Sequence, residues 1–250
     1  MGILLRDKNA DFSSNLVGHA GLYTSVTGNL KALHELRRSA AKTAKNSAPG
    51  MPDGSTFGSP TYAATNITTT NANGVVFNTK PANGGLTVAT LVKMKNGGAT
   101  SDTVVGITAL GSGATAGSLW FHLYNRRIQF NAYSYAAGSV PPLTGYDTKA
   151  AYQDFTAASD GLYEMFFGVL ENGVSLRLYH PKTGTLTTAS ATGRDFCFDN
   201  PPSVQTHPWS GTTAQDQALF AHWSSVLTPT QMNTFYAEMK AQYALLGLTI

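Results

Sequence analysis

Asp216-Gln-Ala-Leu-Phe-Ala-His-Trp223, followed after four residues by Thr228-Pro-Thr-Gln231, is the stretch of sequence that decides the fold. The first run predicts a β-strand, and the second predicts the start of a helix. Thr228 suits the N-cap, Pro229 suits the first helical position, and Gln231 can complete a capping box. The chain is therefore expected to close with a strand, a short link and a C-terminal helix.

The expected C-terminal helix has one apolar face. Its large apolar residues recur at three- and four-residue steps, which places them on the same side of a helix. They are Met232, Phe235, Met239 and Tyr243. Gly247 is a natural stop. This pattern is typical of a helix that packs on a sheet.

The composition favours a single β-rich domain. Of the 250 residues, 42% are hydrophobic and 12% are charged. The charged share is about half of what globular domains usually carry, whereas the hydrophobic share can support a core. All-β sandwiches of this length often form one domain, and we expect one here.

Basic residues are concentrated near the start of the chain. Residues 1–50 hold seven Lys or Arg and three acidic residues, a net charge of +4, whereas residues 51–250 hold ten and eleven, a net charge of −1. The leucines between Leu30 and Leu36 have helical spacing and predict a basic helix over Asn29–Lys45. The Pro- and Gly-rich run that follows predicts a boundary near residue 50. No aromatic row accompanies the charges, so a solvated helix face is favoured over contact with nucleic acid.

Three further features narrow the class of protein. The segment Met1–Asn9 becomes charged too soon for a signal peptide. No apolar run approaches the roughly 18 residues of a membrane span, so no membrane insertion is expected. The single Cys197 excludes an intrachain disulfide and is expected to be a small buried hydrophobic residue.

Strand patterns fill the middle of the chain. Leu86–Lys95 alternates apolar and other residues, which predicts a strand with one buried and one wet face. Two hairpins are expected around the turns Asn125-Arg126 and Asn172-Gly173, and the Asn-Gly pair is the stronger signal. Their strands are Ser118–Tyr124 with Arg127–Ser134, and Leu162–Leu170 with Val174–His180.

Several of these pieces together resemble a known family. Asp160-Gly-Leu-Tyr-Glu-Met-Phe-Phe-Gly-Val169, the Asn-Gly turn and Val174-Ser-Leu-Arg-Leu-Tyr179 look like the paired central strands of concanavalin A-like (laminin-G-like) jelly rolls. The closing strand and helix fit the same family. The resemblance covers about residues 55–250 and implies a lectin-like β-sandwich over residues 51–250.

Residues 1–50 suggest where such a sandwich works. A short arm, a basic helix and a Ser-Ala-Pro-Gly hinge before a lectin-like domain resemble virion proteins of tailed bacteriophages. The resemblance implies an exterior component of the virion, of the tail-fibre or receptor-binding type, assembled in the bacterial cytoplasm. Residues 1–50 would contact other virion proteins and support a homo-oligomer, with a trimer as the expected number. The sandwich would adhere to cell-surface glycan.

Two alternatives stay open beside adhesion. One is a purely architectural virion protein, such as a capsid, baseplate or fibre decoration. The other is a glycan-degrading enzyme. Glycosidases usually need two facing carboxylates, but the strand-borne Glu164 and Glu171 are seven residues apart and fall on opposite faces. The Glu-x-Asp-x-x-Glu, Gly-x-Ser-x-Gly and phosphate-loop patterns are absent from the sequence, so no catalytic residue is predicted.

The sequence gives little support for a metal site. Its six histidines show no pair with the spacing of metal ligands, so none of them is predicted to bind a metal. Calcium held by loop carbonyls and Asp195 or Asp199 is possible, because lectin-type sandwiches often hold one, but no spaced Asp/Asn loop supports it.

One strand carries the candidate glycan-binding residues. Alternation along Arg127–Tyr135 places polar and aromatic side chains on one face, a composition that suits sugar rings and hydroxyls. Trp209 lies in a loop where an exposed aromatic ring could anchor a ligand. The predicted glycan-binding residues are Arg127, Asn131, Tyr133, Tyr135 and Trp209. A solvated sheet surface, a subunit contact and, for Trp209, core packing are the alternatives.

Overall fold

The protein is a β-sandwich with one long helix. The computed structural model describes residues 22–81, 83–95, 102–107, 118–140, 145–198, 204–206 and 214–250, and of residues 102–107 it describes the backbone. Within these residues two antiparallel sheets of eight strands each face one another. The predicted all-β class is confirmed.

The first sheet, here sheet A, contains the strand that closes the sandwich. Its order is β13 (Thr185–Ser190), β12 (Ser175–His180), β11 (Tyr163–Glu171), β6 (Leu86–Lys93), β16 (Gln215–Trp223), β4 (Ile67–Thr69) and β3 (Thr61–Tyr62). The eighth strand, β1 (Leu30–Glu35), also pairs with β16. The predicted closing strand therefore lies at the centre of sheet A.

The second sheet, here sheet B, is built in the same way. Its order is β10 (Asp147–Asp154), β9 (Arg127–Ala136), β8 (Leu119–Tyr124), β7 (Asp102–Ile107), β15 (Val204–Thr206), β5 (Gly74–Phe77) and β2 (Ser55–Phe57). The eighth strand, β14 (Arg194–Asp195), pairs with the end of β9. A 3-10 turn, Ala157–Ser159, follows β10.

Two apolar cores hold these layers together. The first lies between the sheets and contains Phe121, Phe130 and Phe220. The second lies between sheet A and the C-terminal helix α2 (Pro229–Ala244), where the Phe235 ring contacts the Trp223 ring at 4.9 Å. The central strands of sheet A, β11, β6 and β16, are therefore buried on both faces.

Burial on both faces corrects the prediction for β6. Seven of its eight residues are buried, so the expected wet face is wrong. Val88 and Val92 face the first core, while Ala89 and Leu91 face the second. The small and apolar residues on the second face are explained by the helix that covers them.

Helix α2 begins and ends as the sequence predicts. The Thr228 hydroxyl accepts the Gln231 N–H at 3.2 Å, and the Gln231 side chain accepts the Thr228 N–H at 2.9 Å. At the other end Gly247 has φ +75°, and the Leu248 N–H donates to the Tyr243 carbonyl at 3.0 Å, as in a Schellman motif. The four residues of the predicted apolar stripe are buried. Neither helix within the described ranges has both the length and the apolar character that crossing a bilayer needs.

The helix predicted over Asn29–Lys45 is wrong. Strand β1 occupies Leu30–Glu35, and a short helix, α1, covers Ala40–Ala44. Leu30 and Leu33 enter the second core while Ala32 enters the first, and a register irregularity separates Leu30 from Ala32. Because this irregular strand has apolar residues on both faces, their spacing in the sequence resembles that of an amphipathic helix.

The described part of residues 1–50 belongs to the sandwich. Residues 22–28 lie along helix α2, where the Thr24 hydroxyl donates to Glu238 at 2.6 Å and the Tyr23 N–H donates to Gln242 at 3.0 Å. The boundary expected near residue 50 therefore does not mark the edge of the sandwich. Residues 1–21 lie outside the described residues, and their anchoring role stays a prediction.

Both predicted hairpins are present. Asn125 and Arg126 have φ +46° and +56°, the two positive values of a type I′ turn. Arg126 is unusual there, and its guanidinium donates to both carboxylate oxygens of Asp160. In the second hairpin Gly173 has φ +70°. The first hairpin positions β9, which carries the predicted binding residues.

Candidate functional site

The structure separates the predicted binding residues by exposure. Arg127, Asn131, Tyr133 and Tyr135 lie on one face of β9, as alternation requires. Arg127 and Tyr133 are partly exposed, but Asn131 is 2% exposed and Tyr135 is fully buried. Trp209 lies outside the described residues, and its role stays a prediction.

Tyr135 is buried because β14 pairs with the end of β9. Asp195 stands opposite Tyr135 in this pairing, and the Tyr135 ring packs with Cys197 and Tyr133. Cys197 is buried as predicted, and burial raises the pKa of its thiol. This end of the strand offers a packed cluster rather than an open surface.

Tyr133 belongs to an aromatic group on the outer face of sheet B. Its ring lies 4.1 Å from the ring of Tyr146, which is 40% exposed, and 5.2 Å from the ring of Trp120. Burial and the neighbouring Tyr146 raise the pKa of Tyr133. The Tyr133 hydroxyl therefore stays protonated at neutral pH and can donate a hydrogen bond.

Arg127 lies at the opposite end of β9, beside β10. Its guanidinium donates to the Asp154 carboxylate at 2.6 and 3.0 Å and lies 4.1 Å above the centre of the Tyr152 ring. The hydrogen bonds from Arg127 lower the pKa of Asp154 and keep that carboxylate ionised. Tyr152 is 47% exposed, so its ring stays accessible beside the ion pair.

A pocket of about 450 Å³ opens next to Tyr152, where β10 of sheet B approaches β12 and β13 of sheet A. Gln153 joins the two sheets there, because its amide donates to the carbonyls of Leu178 at 3.1 Å and Thr185 at 3.2 Å. The residues that line the pocket are Tyr152, Gln153, Asp154, Phe155, Thr156, Ser159, His180, Thr183, Thr185 and Thr187. One exposed ring, one carboxylate and many hydroxyls thus share a concave surface.

A buried polar row supports the wall of this pocket. His180 Nε2 lies 3.1 Å from Glu164, and His180 Nδ1 lies 3.0 Å from the Thr183 hydroxyl. Lys182 donates to the other oxygen of Glu164 at 3.0 Å. Burial would raise the pKa of Glu164, but the hydrogen bonds from His180 and Lys182 outweigh it and lower that pKa. Glu164 is therefore an ionised acceptor inside the protein.

A second cleft, of about 400 Å³, lies where β16 begins, beside the end of β6 and the turn Asp160-Gly161 that precedes β11. Lys93 and Asp216 approach to 3.7 Å across it, and the Thr68 hydroxyl donates to Asp216 at 2.6 Å. The described residues that line it include no aromatic ring. It suits a sugar less well than the Tyr152 pocket does.

Arg127, a predicted binding residue, pairs with a residue of the pocket lining, but none of the lining residues themselves was predicted from the sequence. Tyr152 and Asp154 lie on β10, opposite Gln129 and Arg127 in the sheet register. The sequence contains a signal for these two residues: alternation along 147–154 places Tyr152 and Asp154 on one face of the strand, and pairing with β9 puts Arg127 on the same face of the sheet. No strand was predicted there, so the pairing that joins these residues was not seen.

Among the described residues, no three His, Cys, Asp or Glu side chains are grouped as metal ligands. Asp195 accepts the Gly138 N–H at 2.8 Å, and Asp199 lies outside the described residues. Calcium held by Asp195 or Asp199 stays an untested prediction.

Comparison with known proteins identifies the fold. No protein-family model matches the sequence, and no curated protein matches it. Among solved structures, the receptor-binding domain of botulinum neurotoxin D matches 86% of this chain and 54% of its own at 10% identity, with a TM-score of 0.62. The botulinum neurotoxin type G receptor-binding domain matches 85% of this chain and 52% of its own at 8% identity, with a TM-score of 0.63.

A third match names a ligand of its own protein. It is the ligand-binding domain of botulinum neurotoxin serotype D in complex with N-acetylneuraminic acid, at 9% identity and a TM-score of 0.62, over 84% of this chain and 50% of that one. The present chain thus spans about half the length of the structures it matches. At such low identity the matches establish the fold, and they confirm the predicted concanavalin A-like sandwich.

Proposed function

We propose that the chain is a non-catalytic carbohydrate-binding module whose site is the pocket beside Tyr152. The observation that carries the proposal is the half-exposed Tyr152 ring at the mouth of a hydroxyl-lined pocket. Aromatic rings cover the C–H face of a sugar, and carboxylates accept its hydroxyl protons. Asp154 supplies such a carboxylate next to the ring. The matched receptor-binding domains share the fold that carries this pocket.

The ionisation of the Asp154 and Glu164 carboxylates supports a role in binding rather than hydrolysis. Glycosidases need one carboxyl group that donates a proton. Asp154 is paired with Arg127, and Glu164 with Lys182, and in both cases the pKa is lowered. Neither carboxyl is suited to be a general acid at neutral pH.

Removal of the Tyr152 ring tests the site. We expect Tyr152→Ala to weaken glycan binding by about tenfold or more, because the stacking surface is lost. Glycan-array screening followed by calorimetric titration of the best ligand measures the change. Tyr23→Ala is the matched control, because Tyr23 is 69% exposed and lies in the segment that runs along helix α2, outside the pocket lining. Unchanged affinity in Tyr152→Ala would refute the site.

The same glycans test the non-catalytic assignment. After long incubation with the protein, chromatography should recover every bound glycan intact. Release of a shorter saccharide would replace the proposal with the glycan-degrading alternative. Absence of any binding on the array would favour the purely architectural alternative.

We further propose that the module works on the exterior of a tailed-phage virion, as a tail-fibre or receptor-binding protein. Its segment 1–21 would attach it to other virion proteins, and three copies would adhere to cell-surface glycan. The resemblance of residues 1–50 to the leading segments of such virion proteins supports this location. Gold-labelled antibodies on purified particles test it, with light scattering to measure the oligomer. Unlabelled particles would contradict the virion location. Incorporation into particles that survives deletion of residues 1–21 would contradict attachment through that segment.

A further inference from the structure

Sheet B carries a second exposed aromatic ring near the Tyr152 pocket. Tyr146 directly precedes β10 and is 40% exposed, close to the 47% of Tyr152. Its ring stacks on the ring of Tyr133 at 4.1 Å. Tyr146 does not belong to the pocket lining, so the pocket by itself gives this exposed ring no role.

Both exposed tyrosines lie on the same side of sheet B. Alternation along β10 sends every second side chain inward, as Ala151 shows by entering the first core. The Tyr146 ring contacts Tyr133, and the Tyr152 ring contacts Arg127. Tyr133 and Arg127 share one face of β9. The two exposed rings are therefore open to the same side of the molecule.

The separation of the two rings matches a short sugar chain. An extended strand rises about 3.3 Å per residue, so residues 146 and 152 are about 20 Å apart along β10, roughly the length of four linked hexoses. A single sugar in the Tyr152 pocket cannot reach Tyr146. An oligosaccharide can contact both rings at once.

The surface between the two tyrosines is low and polar. Thr148 and Ala150 are the β10 residues that project there, and Thr148 is exposed. Gln129, partly exposed on β9, adds an amide beside them. The small Ala150 side chain leaves room for a sugar ring, and the Thr148 hydroxyl can exchange hydrogen bonds with sugar hydroxyls. The path from Tyr152 over these two residues to Tyr146 is called the trough below.

We infer that the ligand is an oligosaccharide chain, held at one end in the Tyr152 pocket and running along the trough to stack on Tyr146. Aromatic rings cover the C–H faces of sugars. Two rings fixed on one strand act as linked contacts, because binding at the first brings the rest of the chain close to the second. The inference rests on the proposed carbohydrate-binding function and adds the length of its ligand.

A length series of sugars tests the inference. The probes are malto-, cello- and N-acetylchito-oligosaccharides and oligogalacturonides from disaccharide to hexasaccharide, joined by shortened forms of any longer glycan that the array identifies. Calorimetric titration into the full chain measures the affinities. We expect the affinity for the bound series to rise by about tenfold or more between the disaccharide and the pentasaccharide and then to level off, because the longer chain gains the second ring.

The two ways in which this series can fail are distinct. Equal affinity along the series would confine the ligand to the pocket, which overturns the trough and keeps the proposed function. Absence of binding to every probe and to the array would overturn both.

Removal of the Tyr146 ring separates the two contacts. Tyr146→Ala should weaken binding of the pentasaccharide by about tenfold and leave binding of the disaccharide unchanged, because only the longer chain reaches that ring. Tyr152→Ala should weaken binding of both sugars. Tyr23→Ala is again the control, since Tyr23 is an exposed tyrosine outside the trough. Equal effects of Tyr146→Ala on the two sugars would contradict the trough.

A larger side chain at residue 150 tests the path between the rings. Ala150→Leu adds bulk in the trough without adding a ring or a charge, and it should lower the affinity for the pentasaccharide relative to the disaccharide. A merely structural effect would weaken both sugars alike. An unchanged ratio in a folded Ala150→Leu protein would overturn the assigned path. If this variant does not fold, Tyr146→Ala and the length series still decide the matter.

Discussion

Gly168 sets how closely the two sheets can approach. It lies in β11 without a positive φ, so its backbone conformation does not require glycine. A Cβ at this position would lie 2.5 Å from the Phe130 ring of sheet B. The absent side chain therefore makes room for an aromatic ring in the first core.

Gly168→Ala should destabilise the protein by about 1–3 kcal/mol, because the fully buried Phe130 ring must move in a close-packed core. Denaturant unfolding measures the free energy. Gly28→Ala is the control, because a Cβ there meets nothing within 4 Å. The double variant with Phe130→Leu should recover part of the loss. A Gly168→Ala protein as stable as the parent would show that the sheets separate without cost.

Two buried histidines make the fold sensitive to acid. His34 and His222 are fully buried, and burial lowers the pKa of each to about 4. Their neutral forms fit the folded protein, so unfolding is favoured once the unfolded chain binds protons. The contribution of these two histidines to the free energy of unfolding is complete above about pH 6.5 and is lost as the pH falls toward 4.

His222→Gln should reduce this sensitivity. Between pH 7 and about pH 4.5 the parent should lose about 2–3 kcal/mol more stability than the variant, since one pKa unit is worth about 1.4 kcal/mol. Denaturant unfolding at both pH values gives the difference. His122→Gln replaces a histidine on the outer face and should leave the loss unchanged. Equal losses in His222→Gln and the parent would contradict a neutral, buried His222.

At the scale of elements, local signals were the reliable ones. The capping box of Thr228 and Gln231 and the turn at Gly173 involve neighbours in sequence, and both are present. The strand β1 was misread because its burial depends on helix α2, which follows about two hundred residues later. The Tyr152 pocket was missed for the same reason, since its lining comes from segments that meet only across the sandwich edge.

The position of β1 gives a truncation test. Deletion of residues 1–21 should leave the thermal transition in place, because β1 and its pairing with β16 remain. Deletion of residues 1–36 removes Leu33 and Leu36 from the two cores and should abolish cooperative unfolding. Calorimetry compares the two proteins. A cooperative transition in the longer deletion would mean that β1 is dispensable.

At the scale of the whole molecule, sheet A has no face left for solvent at its centre. The predicted sandwich and its closing helix are both present, but the helix does more than end the chain. It covers Leu91, Phe167 and Trp223, which form the second core. The sequence predicts the apolar face of the helix correctly. The face of strand β6 that this helix covers was instead predicted to be exposed to solvent.

Removal of residues 228–250 should therefore expose an apolar surface and cause association. We expect a larger particle on size-exclusion chromatography than the full chain gives, together with binding of a hydrophobic dye. The deletion of residues 1–21 serves as the control, because it leaves the second core intact. A truncated protein that keeps the size of the parent and binds no dye would contradict the covering role of helix α2.

Gln153 has a mechanical consequence for adhesion. Its amide joins β10 of sheet B to carbonyls of β12 and β13 in sheet A, directly beneath the pocket. In the proposed adhesive role, a tether that pulls on a sugar in this pocket loads both sheets at once, because β10 and β13 both line it. The force is then divided between two hydrogen-bonded layers instead of peeling one edge strand from its neighbour.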